Sequence, residues 1–407
     1  MIKLNESNKS TVNKQFELNA FDQNLASAIW FKEIVGKYRM ASALQFEILQ
    51  KAGGLSGLWS LELHDNLIDY KNKDGSVKFA DEKIYELKRD WKNVEKRNSA
   101  AQRSDSVKNL NIHAVDITCT DYPFRLKAIS SRPNILFYRG NDLGSLNKIP
   151  FCVTVIGTRT PTPYGRLVTE NFSEHLAAYN TAVISGLARG IDTIVHRTVM
   201  DKGGMTVAVL GCGPDVAYPP ENEKLQRKVA EHGLLITEHP PGIKPLRHYF
   251  PARNRILSGL SDAVIITESA NKSGTLITAG FAADQGRDVY AVPGSILSNS
   301  SAGCHSLIKD GAILIESADE ALTGRNCELR NLHSNPINEN IKISEITVEA
   351  KIIQALLSMS LSLDQLTEET AESVESLSAV LTILELNGKV TCHRGRYFLT
   401  DTSSCCI

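Results

Sequence analysis

Seven short apolar runs recur at 153–156, 182–184, 207–210, 234–236, 263–266, 289–292 and 312–315. Most are separated by a stretch able to form a helix, including 165–180, 191–201, 222–231 and 275–285. Near-continuous apolar strands need cover on both faces, so this alternation predicts a parallel sheet between helical layers. Right-handed crossovers then bring the carboxyl end of every strand to one edge. The loops along that edge are where chemistry is expected.

The flanking segments read differently. Residues 1–20 are polar and rich in Asn and Lys, a pattern of mobile tails. A helical pattern broken by glycines runs over 24–67, and a charged helix is expected at 81–97. After an Asn-rich linker, helical patterns return at 349–359, 363–370 and 376–386, followed by two short strands around a basic turn at 388–399. Helix, turn, helix and a two-stranded wing make a winged-helix pattern. The expected fold class is α/β: an extended Rossmann-like parallel sheet, an N-terminal helical domain and a C-terminal winged-helix domain. Expected boundaries are 1–118 for the tail and helical domain, 119–324 for the sheet domain, 325–345 for the linker and 346–407 for the winged helix. A strand at 135–138 leads into the sheet.

With 407 residues and a net charge of −1, the chain is no polycation, so an anionic partner needs a local cluster of cations. One exists. The 23 residues from His239 to Ser261 contain no Asp or Glu but hold Lys244, Arg247, His248, Arg253 and Arg255, with Tyr249 and Phe250 between them. Cations beside aromatics suit a chain of phosphates with exposed bases. Eight cysteines without a CxxC pair point to free thiols, and no metal site is expected. No signal core and no long apolar run is evident, so a cytoplasmic protein without membrane contact is expected.

Other edge loops carry the same chemistry. The first strand ends in Gly157-Thr158-Arg159, where the glycine allows close approach and the guanidinium offers a fork to phosphate. The second ends in Ser185–Asp192, with Arg189 at the edge and Asp192 placed to cap a helix or orient an Arg. His196, one turn on, reads as a packed histidine rather than a general base. The third ends in Gly211-Cys212-Gly213, but Pro214 breaks the dinucleotide fingerprint that these glycines begin. Lys272-Ser273-Gly274-Thr275 has the wrong order for a P-loop, yet it heads a helix whose amides suit an anion. No cofactor and no catalytic residue are expected. Neutralising about four phosphates of a single strand would give a log–log salt slope of about −3. One base stacked on Phe250 would add roughly 1–3 kcal/mol.

These residues resemble the DNA processing protein A family (DprA, also called Smf) over residues 122–322. The resemblance lies in Gly157-Thr158-Arg159, SGLARGID at 185–192, GCGPDVAYPPEN at 211–222, FPARNRILSGLS at 250–261 and SGTLITAGFAADQGRDVYAVPG at 273–294. It implies a non-enzymatic binder of single-stranded DNA, dimeric, that loads a RecA-type recombinase during natural transformation. It also places the DNA pocket on Arg159, Arg247, Phe250 and Arg253, extending to Asn254, Lys272, Ser273, Gly274 and Thr275; the edge loops themselves add Thr158, Arg189 and Arg255 as expected contacts. His305 stands where family members usually have Asn. Two rivals differ in class. A nucleotide N-glycosidase of the lysine-decarboxylase-like type needs a Glu where Ile277 and Thr278 stand. A duplex-binding regulator would act through the winged helix, whose Asp364, Glu368, Glu369, Glu372 and Glu375 oppose entry into a DNA groove.

Overall fold

The computed structural model describes residues 20–63, 81–271, 273–323, 348–356, 361–386, 389–393 and 395–399. The expected tail and linker, and Lys272, lie outside them. The described residues form two compact units, one ending at Thr323 and the other beginning at Val348. Among them, no helix is long and apolar enough to cross a membrane.

The first unit opens with α1 (Ala20–Tyr38), α2 (Ser42–Ala52), α3 (Asp81–Trp91) and α4 (Val94–Ser106). Their apolar faces meet around Trp30, Phe31, Ile48 and Trp91, all buried, with the two indoles in edge contact at 4.6 Å. The glycine break after α2 is a helix stop: Gly53 takes the left-handed conformation and its N–H returns to the Gln50 carbonyl. The sheet then begins, with β1 (Ile112–Asp116), α5 (Phe124–Lys127), β2 (Ile135–Gly140), β3 (Phe151–Ile156), α6 (Pro163–Ala178), β4 (Thr181–Ser185), α7 (Ile191–Asp201) and β5 (Met205–Val209). It continues through α8 (Glu223–His232), β6 (Leu234–Thr237), α9 (Tyr249–Gly259), β7 (Ala263–Ile266), α10 (Gly274–Asp284), β8 (Asp288–Ala291), α11 (Ala302–Lys309), β9 (Ile313–Leu314) and α12 (Ala318–Leu322).

The nine strands lie in the order β1-β2-β6-β5-β4-β3-β7-β8-β9. From β6 to β9 every neighbour is parallel, with Val153 opposite both Val183 and Ala263. The sheet is therefore not parallel throughout. Strand β2 runs antiparallel to β6, and β1 antiparallel to β2. No crossover helix links β1 to β2, only the four-residue α5 and turns, so the chain reverses.

Alternate residues of each strand point to opposite faces. Cys152, Ile184, Val207, Ile236 and Val264 join one apolar cluster that also holds Trp30, Ile48 and Leu87 of the N-terminal helices and Ile256 of α9. Val153, Val183 and Ile265 face α6, α7 and α12 instead, while Ala208 and Leu235 face α8. Burying each such side chain contributes about 1.5–3 kcal/mol. Two expectations change here. The boundary at 118 moves, because β1 already belongs to the sheet, and the N-terminal helices share its core. Residues 239–261, read as a loop, contain α9.

The second unit comprises α13 (Val348–Leu356), β10 (Leu361–Ser362), α14 (Leu363–Thr370), α15 (Val374–Leu386), β11 (Val390–His393) and β12 (Arg396–Leu399). Ile352, Leu366, Leu377, Leu381 and Leu384 form its core. Ser362 caps α14 reciprocally with Gln365. The three strands pair β10-β12-β11, all antiparallel, as a wing does.

Candidate nucleic-acid interface

A cleft of about 770 Å³ opens at the carboxyl ends of the parallel strands, within the size range of pockets that take a small ligand whole. Its walls come from the loop after β3, the start of α7, the N-terminal part of α9 and the start of α10. A smaller recess of about 100 Å³ adjoins it, sharing Arg159, Tyr218, Phe250 and Arg253 with the cleft.

The loop after β3 is held from below by Glu268, a buried acid at the end of β7. Its carboxylate accepts from the Thr162 N–H at 2.9 Å and the Thr162 hydroxyl at 2.7 Å, and its own carbonyl accepts from the Thr158 N–H at 2.8 Å. Thr158 in turn accepts from the Ile191 N–H at 3.1 Å, which ties the loop to α7. Gly190 is required at this crossing: its φ is +75°, and a Cβ would lie 2.5 Å from the Thr158 carbonyl oxygen. The result is a rigid turn that holds Arg159 exposed over the cleft.

Helix α9 presents Phe250, Arg253, Asn254 and Leu257 to the cleft, the i, i+3, i+4, i+7 spacing of one helical face. The Phe250 ring lies 5.0 Å from that of Tyr218, tilted by 38°. Arg247, just before the helix, is exposed and lines the same cleft. Neither Arg159 nor Arg247 is paired with an acid among the described residues. Opposite them, Ser273 caps α10 by accepting from the Thr275 N–H at 3.2 Å, and the Thr275 hydroxyl donates to the Gly157 carbonyl at 3.2 Å. The Asn254 amide reaches the Gly274 carbonyl at 3.3 Å, joining the two helix starts. Ser273 thus occupies the Thr275 amide expected to face an anion, and Leu276 N–H turns back to the Ser273 carbonyl.

Six cations were expected on this edge, and the structure sorts them. Arg159 and Arg247 stand free on the cleft wall. Arg253 is buried beneath the recess, where its guanidinium donates to the carbonyls of Gly186, at 2.9 Å, and Val209. Burial pushes its pKa down to about 10, against the pull of Asp192, so it stays charged at neutral pH. Asp192 itself accepts from the N–H groups of Gly186 and Ala188 at 3.2 Å; burial pushes its carboxyl above the usual range, opposed by Arg253. Both charged groups crowd Gly186, where a Cβ would lie 2.6 Å from Nη2 and 2.7 Å from Oδ2. Arg189 lines only the recess and is paired with Glu221. Arg255 points off the cleft and makes a two-pronged pair with Glu238 at 3.0 and 2.7 Å. Lys272 lies outside the described residues.

Sequence reasoning missed Glu268, Tyr218 and Asn222. The Asn222 amide donates to the Leu187 carbonyl at 3.0 Å and the Thr193 hydroxyl at 2.9 Å, clamping the loop after β4. Glu268 stands two residues past β7, while Tyr218 and Asn222 belong to the 211–222 motif ahead of α8, which gave them no role of their own. His196 is the packed residue it was read as, buried with Nδ1 2.8 Å from the Thr206 hydroxyl. His305 reaches the Gly294 carbonyl through Nε2 at 3.0 Å and so braces the turn after Pro293.

A Rossmann-like sheet with a cationic cleft at its switch edge and a separate winged-helix unit defines a DNA-binding class of protein. The chain belongs to the family described as DNA recombination-mediator protein A, whose model matches residues 113–326, and a DprA winged helix domain matches 344–396. It is 44% identical over 202 residues to the DNA processing protein DprA of Streptococcus pneumoniae, covering 49% of this chain and 70% of that one. It is 41% identical over 209 residues to DprA of Bacillus subtilis, covering 51% and 70%. The X-ray structure of DprA from Streptococcus pneumoniae superposes with a TM-score of 0.56 at 31% identity, covering 73% of this chain and 97% of that chain. This is therefore a recombination-related, DNA-processing protein.

Proposed function

We propose that the cleft grips single-stranded DNA without cutting it, and that the protein loads a RecA-type recombinase onto that strand during natural transformation. It would act in the cytoplasm as a homodimer. The observation that carries the DNA reading is the meeting of two unpaired guanidinium groups, Arg159 and Arg247, with the Phe250–Tyr218 ring pair in one cleft. The guanidiniums hold successive phosphates, and Phe250 stacks the base between them. Thr158, Asn254 and Ser273–Thr275 complete the wall, and Arg253 supplies positive charge from beneath. A duplex keeps its bases stacked and offers none to this pair of rings, so unpaired DNA is favoured.

Hydrolysis is the weaker reading. Asp192 is the one carboxylate lining the cleft among the described residues, and two backbone amides and a guanidinium already engage it. Ile277 and Thr278 stand where the glycosidase comparison needs its Glu.

The test is a salt titration of oligothymidine and duplex binding, followed by anisotropy. The single strand should bind more tightly, with a log–log slope of about −1.5 to −2, as two or three neutralised phosphates give. Arg159→Ala should weaken it and flatten the slope by about 0.7, the loss of one phosphate contact. An unchanged slope and affinity in that variant would remove Arg159 from the interface. The recombinase step is tested separately, by asking whether the protein speeds filament assembly on a strand already coated with single-strand-binding protein.

A further inference from the structure

Two rings beside the cleft do not line it. His248 and Tyr249 sit between two residues that do, Arg247 and Phe250. Because α9 turns by about 100° per residue, Tyr249 faces outward where Phe250 faces in. The His248 ring is 4.5 Å from that of Tyr249 at 64°, and Tyr249 lies 4.1 Å from His239 at 38°. These three rings make a short ridge on the β6 side of the cleft. His248 is exposed and Tyr249 half-buried, so the outer end of the ridge is open. The nearby Lys244 is exposed and has no acid partner among the described residues.

The ridge stands on a fixed base. The Gly242 N–H donates to both carboxylate oxygens of Asp215, at 2.9 and 3.0 Å, and the Gly213 N–H donates to the Ile243 carbonyl at 2.8 Å. Tyr249 N–H closes the turn onto the Leu246 carbonyl at 3.0 Å. Rings held in advance lose little freedom when a base stacks on them. The cleft is too small for more than a few nucleotides, so a longer strand must leave it somewhere. At its β6 end the wall is Arg247, an unpaired cation that leads directly to the ridge.

We propose that His248 and Tyr249 form a second base-stacking surface for single-stranded DNA, taking the nucleotides that leave the cleft past Arg247. Lys244 holds a phosphate of that outgoing segment. The inference rests on the cleft being the single-strand site, and it adds that the footprint extends beyond it towards β6.

The experiment uses the full chain with two thymidine oligomers, one of about five nucleotides and one of about fifteen, which bracket the footprint of a small single-strand site. His248→Ala and Tyr249→Leu should each weaken the long oligomer about five- to tenfold and the short one less than twofold. Tyr249→Phe, which keeps the ring, should bind both as the parent does. Equal affinity of parent and variants for the long oligomer would overturn the proposal. So would an equal loss on both lengths, which would make the ridge a brace for the cleft. Phe250→Ala, expected to weaken both lengths, checks the cleft itself; if it weakens neither, the cleft reading fails independently.

Discussion

His196 shows how a titratable residue at a functional edge can serve the fold alone. Burial, with the Arg253 charge adding to it, pushes its pKa from 6.5 down to about 3. Between those values the unfolded chain binds a proton that the folded chain refuses, so stability falls as pH drops from about 6.5 towards 3. The effect reaches at most about 3 kcal/mol at pH 4. Urea midpoints taken from about pH 7 to about pH 4 should fall less steeply in His196→Leu than in the parent. Identical slopes would show that His196 titrates normally. At this scale the sequence was partly legible. Arg159 and Arg247 stand exposed in loops that follow strands, and both line the cleft. Arg253 lines the cleft and the recess, but its burial was not legible, because that depends on where Gly186 and the end of β5 lie, and spacing along the chain does not show it.

Helix α9 is the element that organises the interface, and its two faces do different work. The cleft face carries Phe250, Arg253, Asn254 and Leu257. The other carries Arg255, whose guanidinium and the Glu238 carboxylate are each only 16% exposed. Burial raises the Glu238 carboxyl, but Arg255 and, more weakly, Lys32 of α1 outweigh it and hold the pKa below its ordinary value. Arg255→Met leaves that carboxylate buried with one cation fewer, and should cost about 2–4 kcal/mol of stability. Its affinity for oligothymidine should stay within about twofold of the parent, unlike that of Arg159→Ala. A matching loss of binding would put Arg255 back on the cleft. The strands were legible because apolar runs of their length mean little else. Helix α9 was not, since Pro251 and two arginines, Arg253 and Arg255, dilute its apolar period; the proline fits because it stands in the first turn, where its missing N–H costs nothing.

At the scale of the whole molecule, the described residues of helices α14 and α15 in the winged-helix unit offer no surface suited to a DNA groove. Asp364, Glu368 and Glu369 are exposed on α14, and α15 contains no Lys or Arg. Lys351 and Lys389, two cations of the unit, are paired with Glu372 and Glu349. Removing residues 346–407 should therefore leave both the affinity for oligothymidine and its salt slope unchanged in the same anisotropy titration. Loss of binding in that variant would move the DNA site out of the cleft. Sequence alone determined the layered sheet, the edge at which loops gather and the local excess of cations, because apolar period and charge are properties of neighbouring residues. Tertiary structure decided which cations face solvent and which face an acid or a carbonyl. That depends on groups brought together from β4, β5, β6 and α9, distant along the chain and adjacent only once the crossovers have closed.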